Sequence, residues 1–242
     1  MTQPISMPWS SPIFGELPHR WQGVRMAAFP VTLHDHEVKR ILPLGMEPAE
    51  GHGMVTFLSY PQTEFQHPFN EAMVMVPVQV DGTVGTYIPY IYVNTDEALI
   101  PGREIAGFPK KLADVEWSRD GDRVVGSVTR WGKKILAFEG QVDGPLPIMD
   151  GEEGIPETPS FNYKLIPGPA GEIEVEEITK VQVGLDTRDE EIGQAHLRSE
   201  PSEFDPISDL VPGIDTAMIV MMSNNTIPAG EVVKRIKREA AS

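Results

Sequence analysis

The chain has 242 residues, of which 40% are hydrophobic and 23% charged, and 20 Lys plus Arg against 36 Asp plus Glu give a formal net charge of −16. That length suits one globular domain with a sizeable core. The acidic field argues against nucleic acid and anionic membrane as partners, and the absence of cysteine excludes disulfides, thiolate zinc sites and a cysteine nucleophile.

The first residues, MTQPISMPWSSP, lack the basic and then apolar regions of a signal peptide. The longest apolar run, Ala217 to Met222, is too short to span a bilayer, so the cytoplasm is the expected location. HDHEVKRILP, 34 to 43, predicts a short helix with Asp35 as N-cap and a stop before Pro43. His34, Asp35 and His36 are poorly spaced for shared ligation, so capping is favoured over a metal site. MVMVPVQVDGTVGTYIPYIYV, 73 to 93, predicts two strands joined at Asp81-Gly82, a strong hairpin signal. Tyr90 and Tyr92 fall on one face of the second strand and Tyr87 on the other.

TDEALIPGREIAGF, 95 to 108, predicts one or two helical turns ending before Pro109, because a pre-proline residue avoids the α region. Residues 115 to 142 read as three strands with turns at Asp120-Gly121 and Trp131-Gly132. The stretch from 144 to 171 is rich in Pro, Gly and acid, but FNYKLIP within it is too apolar for a free linker. It reads as an excursion inside one domain. EIEVEEITKVQVGL, 172 to 185, is a further strand, and PAGEVVKRIKREAA, 228 to 241, reads as a closing amphipathic helix. The expected fold is a mainly β, α+β single domain over 1–242: a closed or nearly closed, mostly antiparallel β-barrel with short flanking helices.

GREIAGFPKKLADV, 102 to 115, sets Lys110 and Lys111 among Ile105, Ala106, Phe108 and Leu112. A lysine attacks a carbonyl only as the free amine, and at a reference pKa near 10.4 only about 1 in 2,500 is neutral at pH 7. Burial or a neighbouring ammonium can shift that balance. In extended backbone the two side chains point to opposite faces, so desolvation of Lys110 by Phe108 and the barrel interior is the expected cause, with Lys111 secondary. Arg103 and Glu104 flank the motif and are candidates for pairing with each other or across a subunit interface. Met73, Met75, Met218, Met221 and Met222 read as core or pocket lining.

This stretch resembles the active-site segment of the acetoacetate decarboxylase superfamily, with Gly102-Arg103-Glu104-Ile105 followed by Phe108-Pro109-Lys110-Lys111-Leu112. SSPIF at the N-terminus, YIPYIYVNTDEAL before the motif, PSFNYKLIP and IPAGEVVKRI resemble family counterparts in the same order. The resemblance implies that Lys110 is the Schiff-base nucleophile with Lys111 as its neighbour, a lysine activated by desolvation or an adjacent cation. It implies Glu71 as the active-site glutamate and Arg25 as the arginine near the substrate carboxylate; read from the residues, Phe108, Tyr92 and Leu58 are further candidates for substrate contact. It further implies a small oxo-acid substrate, no metal or organic cofactor, and a homo-oligomer. One departure stands out: decarboxylating members carry a second glutamate on the preceding strand, where MVTFLSY here has Leu58 or Ser59. Three readings follow: a decarboxylase converting a β-keto acid to a ketone and CO2, an aldolase–dehydratase condensing pyruvate with aldehydes through the same lysine, or a non-catalytic small-ligand-binding barrel.

Overall fold

The computed structural model describes residues 5–63, 66–147 and 158–236. In chain order the elements are β1 (His19–Val31), α1 (Asp35–Ile41), β2 (Glu47–Pro48), β3 (Gly53–Tyr60), β4 (Phe69–Val80), β5 (Thr83–Val93), α2 (Asp96–Pro101), a π-helix (Gly102–Ala106), β6 (Lys110–Leu112), β7 (Asp114–Asp120), β8 (Arg123–Arg130), β9 (Lys133–Pro145), β10 (Ser160–Pro167), β11 (Ile173–Val181), β12 (Gly184–Ser199), α3 (Ile207–Leu210), β13 (Ile214–Ile227) and β14 (Glu231–Arg235). Turns stand at Asp81-Gly82 and Trp131-Gly132 as expected, while the third lies one residue on, at Gly121-Asp122, with Asp120 opposite Arg123. Asp81 and Gly82 both adopt positive φ, 47° and 83°, as a two-residue hairpin turn of type I′ requires. Among the described residues no helix is long and apolar enough to cross a membrane.

All the strands belong to one sheet, in the order β14-β11-β10-β5-β4-β3-β1-β13-β12-β9-β8-β7, with β2 paired to β4 and β6 to β5. The expected barrel is not closed. The ladder ends at β14 on one side and β7 on the other, and among the described residues these two strands do not pair. β7 instead turns back onto the middle of the sheet, where the Asn70 side chain on β4 donates to the carbonyl of Val115 at 3.0 Å. A side-chain link of this kind draws the edge in without continuing the ladder.

Strong curling gives the sheet two unequal apolar faces. The larger core packs Phe29, Phe57, Phe138, Val74, Leu136 and Met218 together on the concave side. On the other face a smaller cluster gathers Trp21, Leu58, Tyr60, Phe69 and Val93 with Ala98 of α2. Both faces being covered explains why Val55, Thr56, Phe57 and Leu58 are buried in succession, a pattern that a strand with one wet face does not show.

Two expected helical features differ. Residues 231–235 form β14, antiparallel to β11. An available edge strand and the β-branched pair Val232-Val233 override the helical spacing, and Lys234 Nζ meets Asp81 at 2.7 Å. The remainder of that expected helix, 237–241, lies outside the described residues. At α1, His34 holds the N-cap position without a side-chain cap and Asp35 is the first helical residue. There the Asp35 carboxylate lies in the favourable first turn of the dipole.

A buried ionic cluster fixes the concave side of β6. Asp205 is fully buried and accepts from Lys111 Nζ at 2.7 Å, Tyr92 Oη at 3.0 Å and Arg130 Nε at 3.3 Å. Burial pushes its carboxyl up, but the hydrogen bonds from Lys111 and Tyr92 outweigh this and hold it below its ordinary value. Asp205→Ala leaves Arg130, its side chain 14% exposed, without its counter-charge, while the more exposed Lys111 recovers some hydration. The expected cost is about 3 kcal/mol, the low end for breaking a buried pair, or a melting point lower by about 6–12 °C for a chain of this size, readable by calorimetry. Because the folded pKa is depressed, the stability from Asp205 is present above its unfolded pKa and is lost as pH falls through the folded value. Asp205→Asn should therefore flatten the acid side of the stability profile.

Candidate active site

The register of three strands brings Lys110 to Glu71. In β4 and β5 Glu71 lies opposite Val93. In the parallel pairing of β5 with β6, Val93 lies beside Leu112 and Ile91 beside Lys110. Paired residues share a face and alternate residues return to it, so Glu71, Val93, Ile91 and Lys110 all stand on the face of the smaller cluster. There Lys110 Nζ donates to Glu71 Oε2 at 2.6 Å, with the two side chains 10% and 5% exposed. Burial of both partners makes this a pair whose charges depend on one another rather than on water.

The same register separates the two lysines. Lys111 lies beside Tyr92, on the opposite face, and both reach Asp205. The two ammonium groups do not meet, and Lys110 is desolvated by the roof over the smaller cluster rather than by the main interior.

That roof is the turn from α2 through the π-helix. Gly107, at φ 83°, ends it, and Phe108 N closes back on Gly102 O at 2.9 Å. Arg103 donates to the carbonyl of Lys110 at 3.1 Å and ties β6 to the turn. Gly102 has ordinary helical φ, but a Cβ there would lie 2.6 Å from Lys110 Cδ and 2.7 Å from Cε. The missing side chain is the slot through which the lysine stem passes. Beyond it a cavity of about 60 Å³ is walled by Trp21, Tyr60, Phe69, Glu71, Phe108 and Lys110. Phe108 packs beneath the ammonium, 6.0 Å from ring centroid to Nζ. Larger hollows, such as one of about 740 Å³ past Trp117, Arg123 and His196, do not reach Lys110.

Of the residues singled out by sequence, Lys110, Glu71 and Phe108 meet around the cavity. Leu58 lies directly opposite Glu71 on β3, buried under the aromatic wall, so no second carboxylate occupies that position. Arg25 is not at the cavity: it lies opposite Ser59, one residue out of phase with Leu58 and Tyr60, and so on the other face, beside Trp117 and Arg119. A bulge between Trp21 and Val24 sets this phase. Tyr92 bonds Asp205 rather than facing the cavity. Among the described residues no group of His, Asp and Glu is arranged to hold a metal ion, and His34 bonds the carbonyl of Asp209.

Sequence reasoning missed Tyr60, whose hydroxyl points to Glu71 Oε1 at 3.4 Å, and Trp21, stacked edge-on against it. The available signal for Tyr60 was its place two residues after Leu58, which puts both on one face of a strand. Nothing in the local sequence marked Trp21, whose phase depends on the bulge.

Comparison with known proteins bears on the fold and the family. An acetoacetate decarboxylase from Clostridium botulinum is 24% identical over 238 residues, covering 96% of each chain. The crystal structure of acetoacetate decarboxylase from Legionella pneumophila superposes with a TM-score of 0.85 at 24% identity, over 96% of this chain and 94% of that one. The enduracididine biosynthesis enzyme MppR, complexed with the condensation product of pyruvate and imidazole 4-carboxaldehyde, superposes with a TM-score of 0.79 at 18% identity, over 95% of each chain. These likenesses show a shared fold. The family model for acetoacetate decarboxylase matches residues 2–236, nearly the full length, and the chain belongs to the acetoacetate decarboxylase family.

Proposed function

We propose that the protein is a lyase for small oxo acids that works through an imine on Lys110. The observation carrying this reading is a buried amine 2.6 Å from a buried carboxylate in a small apolar cavity. Transfer of one ammonium proton to Glu71 frees the amine to attack the substrate carbonyl, and loss of water gives the iminium. For a β-keto acid the electrons of the carbon–carboxylate bond then flow into the iminium, releasing CO2 and leaving an enamine. Protonation at carbon and hydrolysis return the ketone and the lysine. Every step uses groups of this chain and water, so the reaction needs no cofactor.

Cavity size bounds the substrate. At 10–15 Å³ per water-sized site, 60 Å³ holds about four to six such positions. That matches the imine of an oxo acid with three or four carbons and excludes an aromatic one unless the walls move.

A second reading has its own support. Leu58 opposite Glu71 supplies no negative charge to destabilise a bound carboxylate, whereas an aldolase makes no such demand. A wider hollow of about 750 Å³ shares His19, Trp21 and Gln66 with the Lys110 cavity, which gives room for a second reactant. MppR, of the same fold, was captured with a pyruvate–aldehyde condensation product. Homo-oligomer formation also belongs to this proposal and is checked by light scattering of the eluted protein.

Borohydride reduction with pyruvate or acetoacetate should leave an adduct on the peptide containing Lys110. Lys110→Ala should abolish it and Lys111→Ala should retain it; an adduct that survives Lys110→Ala overturns the assignment. Glu71→Gln keeps shape and an acceptor for Lys110, so melting should shift by only a few degrees. Its turnover should fall about 10²- to 10⁴-fold, the usual worth of a general acid–base group, and equal turnover in the two proteins would return Glu71 to a structural role. Assays of CO2 release from acetoacetate and of pyruvate condensation with an unsaturated aldehyde, with Lys110→Ala as blank, separate the two enzyme readings. Weak release with detectable condensation is expected from Leu58. Fast release without condensation restores the decarboxylase, and neither reaction without an adduct favours a ligand-binding protein.

A further inference from the structure

A buried polar chain leads to Glu71 from the side opposite Lys110. Ser223 and Asn225 alternate along β13 and face the smaller cluster. Ser223 Oγ donates to Asn225 Oδ1 at 2.5 Å, which fixes the amide with its nitrogen free to donate. The Asn225 amide acts on the Tyr60 phenol in the direction that lowers its pKa, against burial and the Glu71 charge. The O–H of Tyr60 is directed at Glu71 Oε1. Stacking on Phe69 at 4.3 Å and an edge contact with Trp21 at 5.3 Å hold the tyrosine ring.

The link from Tyr60 to Glu71 is long at 3.4 Å, whereas Lys110 holds the other oxygen at 2.6 Å. This asymmetry belongs to the free protein. Imine formation joins Nζ to the substrate carbon and leaves it at most one N–H in place of three, so the carboxylate no longer faces the full ammonium of the free protein while remaining buried. A buried carboxylate short of donors is costly, and Tyr60 is a second donor already aimed at it.

We propose that Tyr60 is a positioning residue for Glu71, engaged after the imine has formed. It holds Oε1 so that Oε2 faces the carbon whose proton is exchanged. The inference rests on the Lys110 imine reading and applies to decarboxylation and condensation alike. Burial first, and then the Glu71 charge, push the phenol well above its ordinary pKa, so it stays a donor at neutral pH. With pyruvate the step is explicit. Glu71 takes a proton from C3, the C–H pair becomes the enamine double bond, and the C=N pair moves to nitrogen; return of a deuteron in D2O reverses each change.

Proton NMR of pyruvate in D2O reads this exchange, and borohydride trapping with pyruvate reads imine formation separately. Tyr60→Phe keeps the ring stack and removes only the hydroxyl. Its trapping should stay within about twofold of the parent, while exchange falls about 10- to 150-fold, the worth of one hydrogen bond to a charged group. Asn225→Ala should lower exchange less, again with trapping retained. Unchanged exchange in Tyr60→Phe overturns the proposal, and so does loss of trapping in step with exchange, which marks a structural role. If Tyr60→Phe does not fold, Asn225→Ala decides, and unchanged exchange there overturns it. A parent protein that forms no adduct overturns the imine reading and this inference together.

Discussion

Three residues of parallel pairing between β5 and β6 hold the site together. That register places Lys110 beside Ile91 and Lys111 beside Tyr92, and the pleat then sends the two ammonium groups through opposite faces of the sheet. A slip of one residue would exchange them, putting Lys111 under the π-helix and Lys110 against Asp205. The ionic cluster at Asp205 and the bond from Arg103 to the Lys110 carbonyl secure this short strand from its two sides. A three-residue strand has few ladder bonds of its own, so these side-chain ties determine which lysine faces the cavity.

Among the described residues, two buried carboxylates lie within 2.7 Å of a lysine nitrogen, and their surroundings differ. Asp205 receives three donors on the concave side and meets no cavity that reaches Lys110. Its charge is spent on structure. Glu71 has one short bond to Lys110, one long bond to Tyr60, and open space beside it. An under-satisfied buried carboxylate next to a cavity is the arrangement expected of a group that must move a proton, because full satisfaction would hold it in one state. The contrast distinguishes the pairs better than distance does, since 2.6 and 2.7 Å are alike.

The open ladder bears on the site as well. Had the sheet closed around one interior, Lys110 would have pointed either into a packed core or into solvent. Curling without closure leaves a second face, and α2 with the π-helix covers it. The cavity lies under that cover, between a helical turn and the sheet, where one glycine sets the clearance for the lysine stem.

Local chemistry in the sequence determined the hairpins, the turns, the helical stretch before Pro109 and the identity of the lysine pair. These depend on period-2 alternation, on residues that tolerate positive φ, and on the proline rule, all legible within a few residues. The motif resemblance likewise carried Lys110 and Glu71, because each stands at a fixed spacing from recognisable neighbours. Tertiary structure decided the rest. Arg25 and Trp21 took their faces from a bulge in β1, which shifts phase without a marker in composition. Residues 231–235 became a strand because β11 offered an edge, which no helical periodicity can report. Asn225 and Ser223 came onto the face shared by Tyr60 and Glu71 only when β13 and β3 were laid on either side of β1. Contacts between strands far apart in the chain depend on register, and register is a property of the assembled sheet.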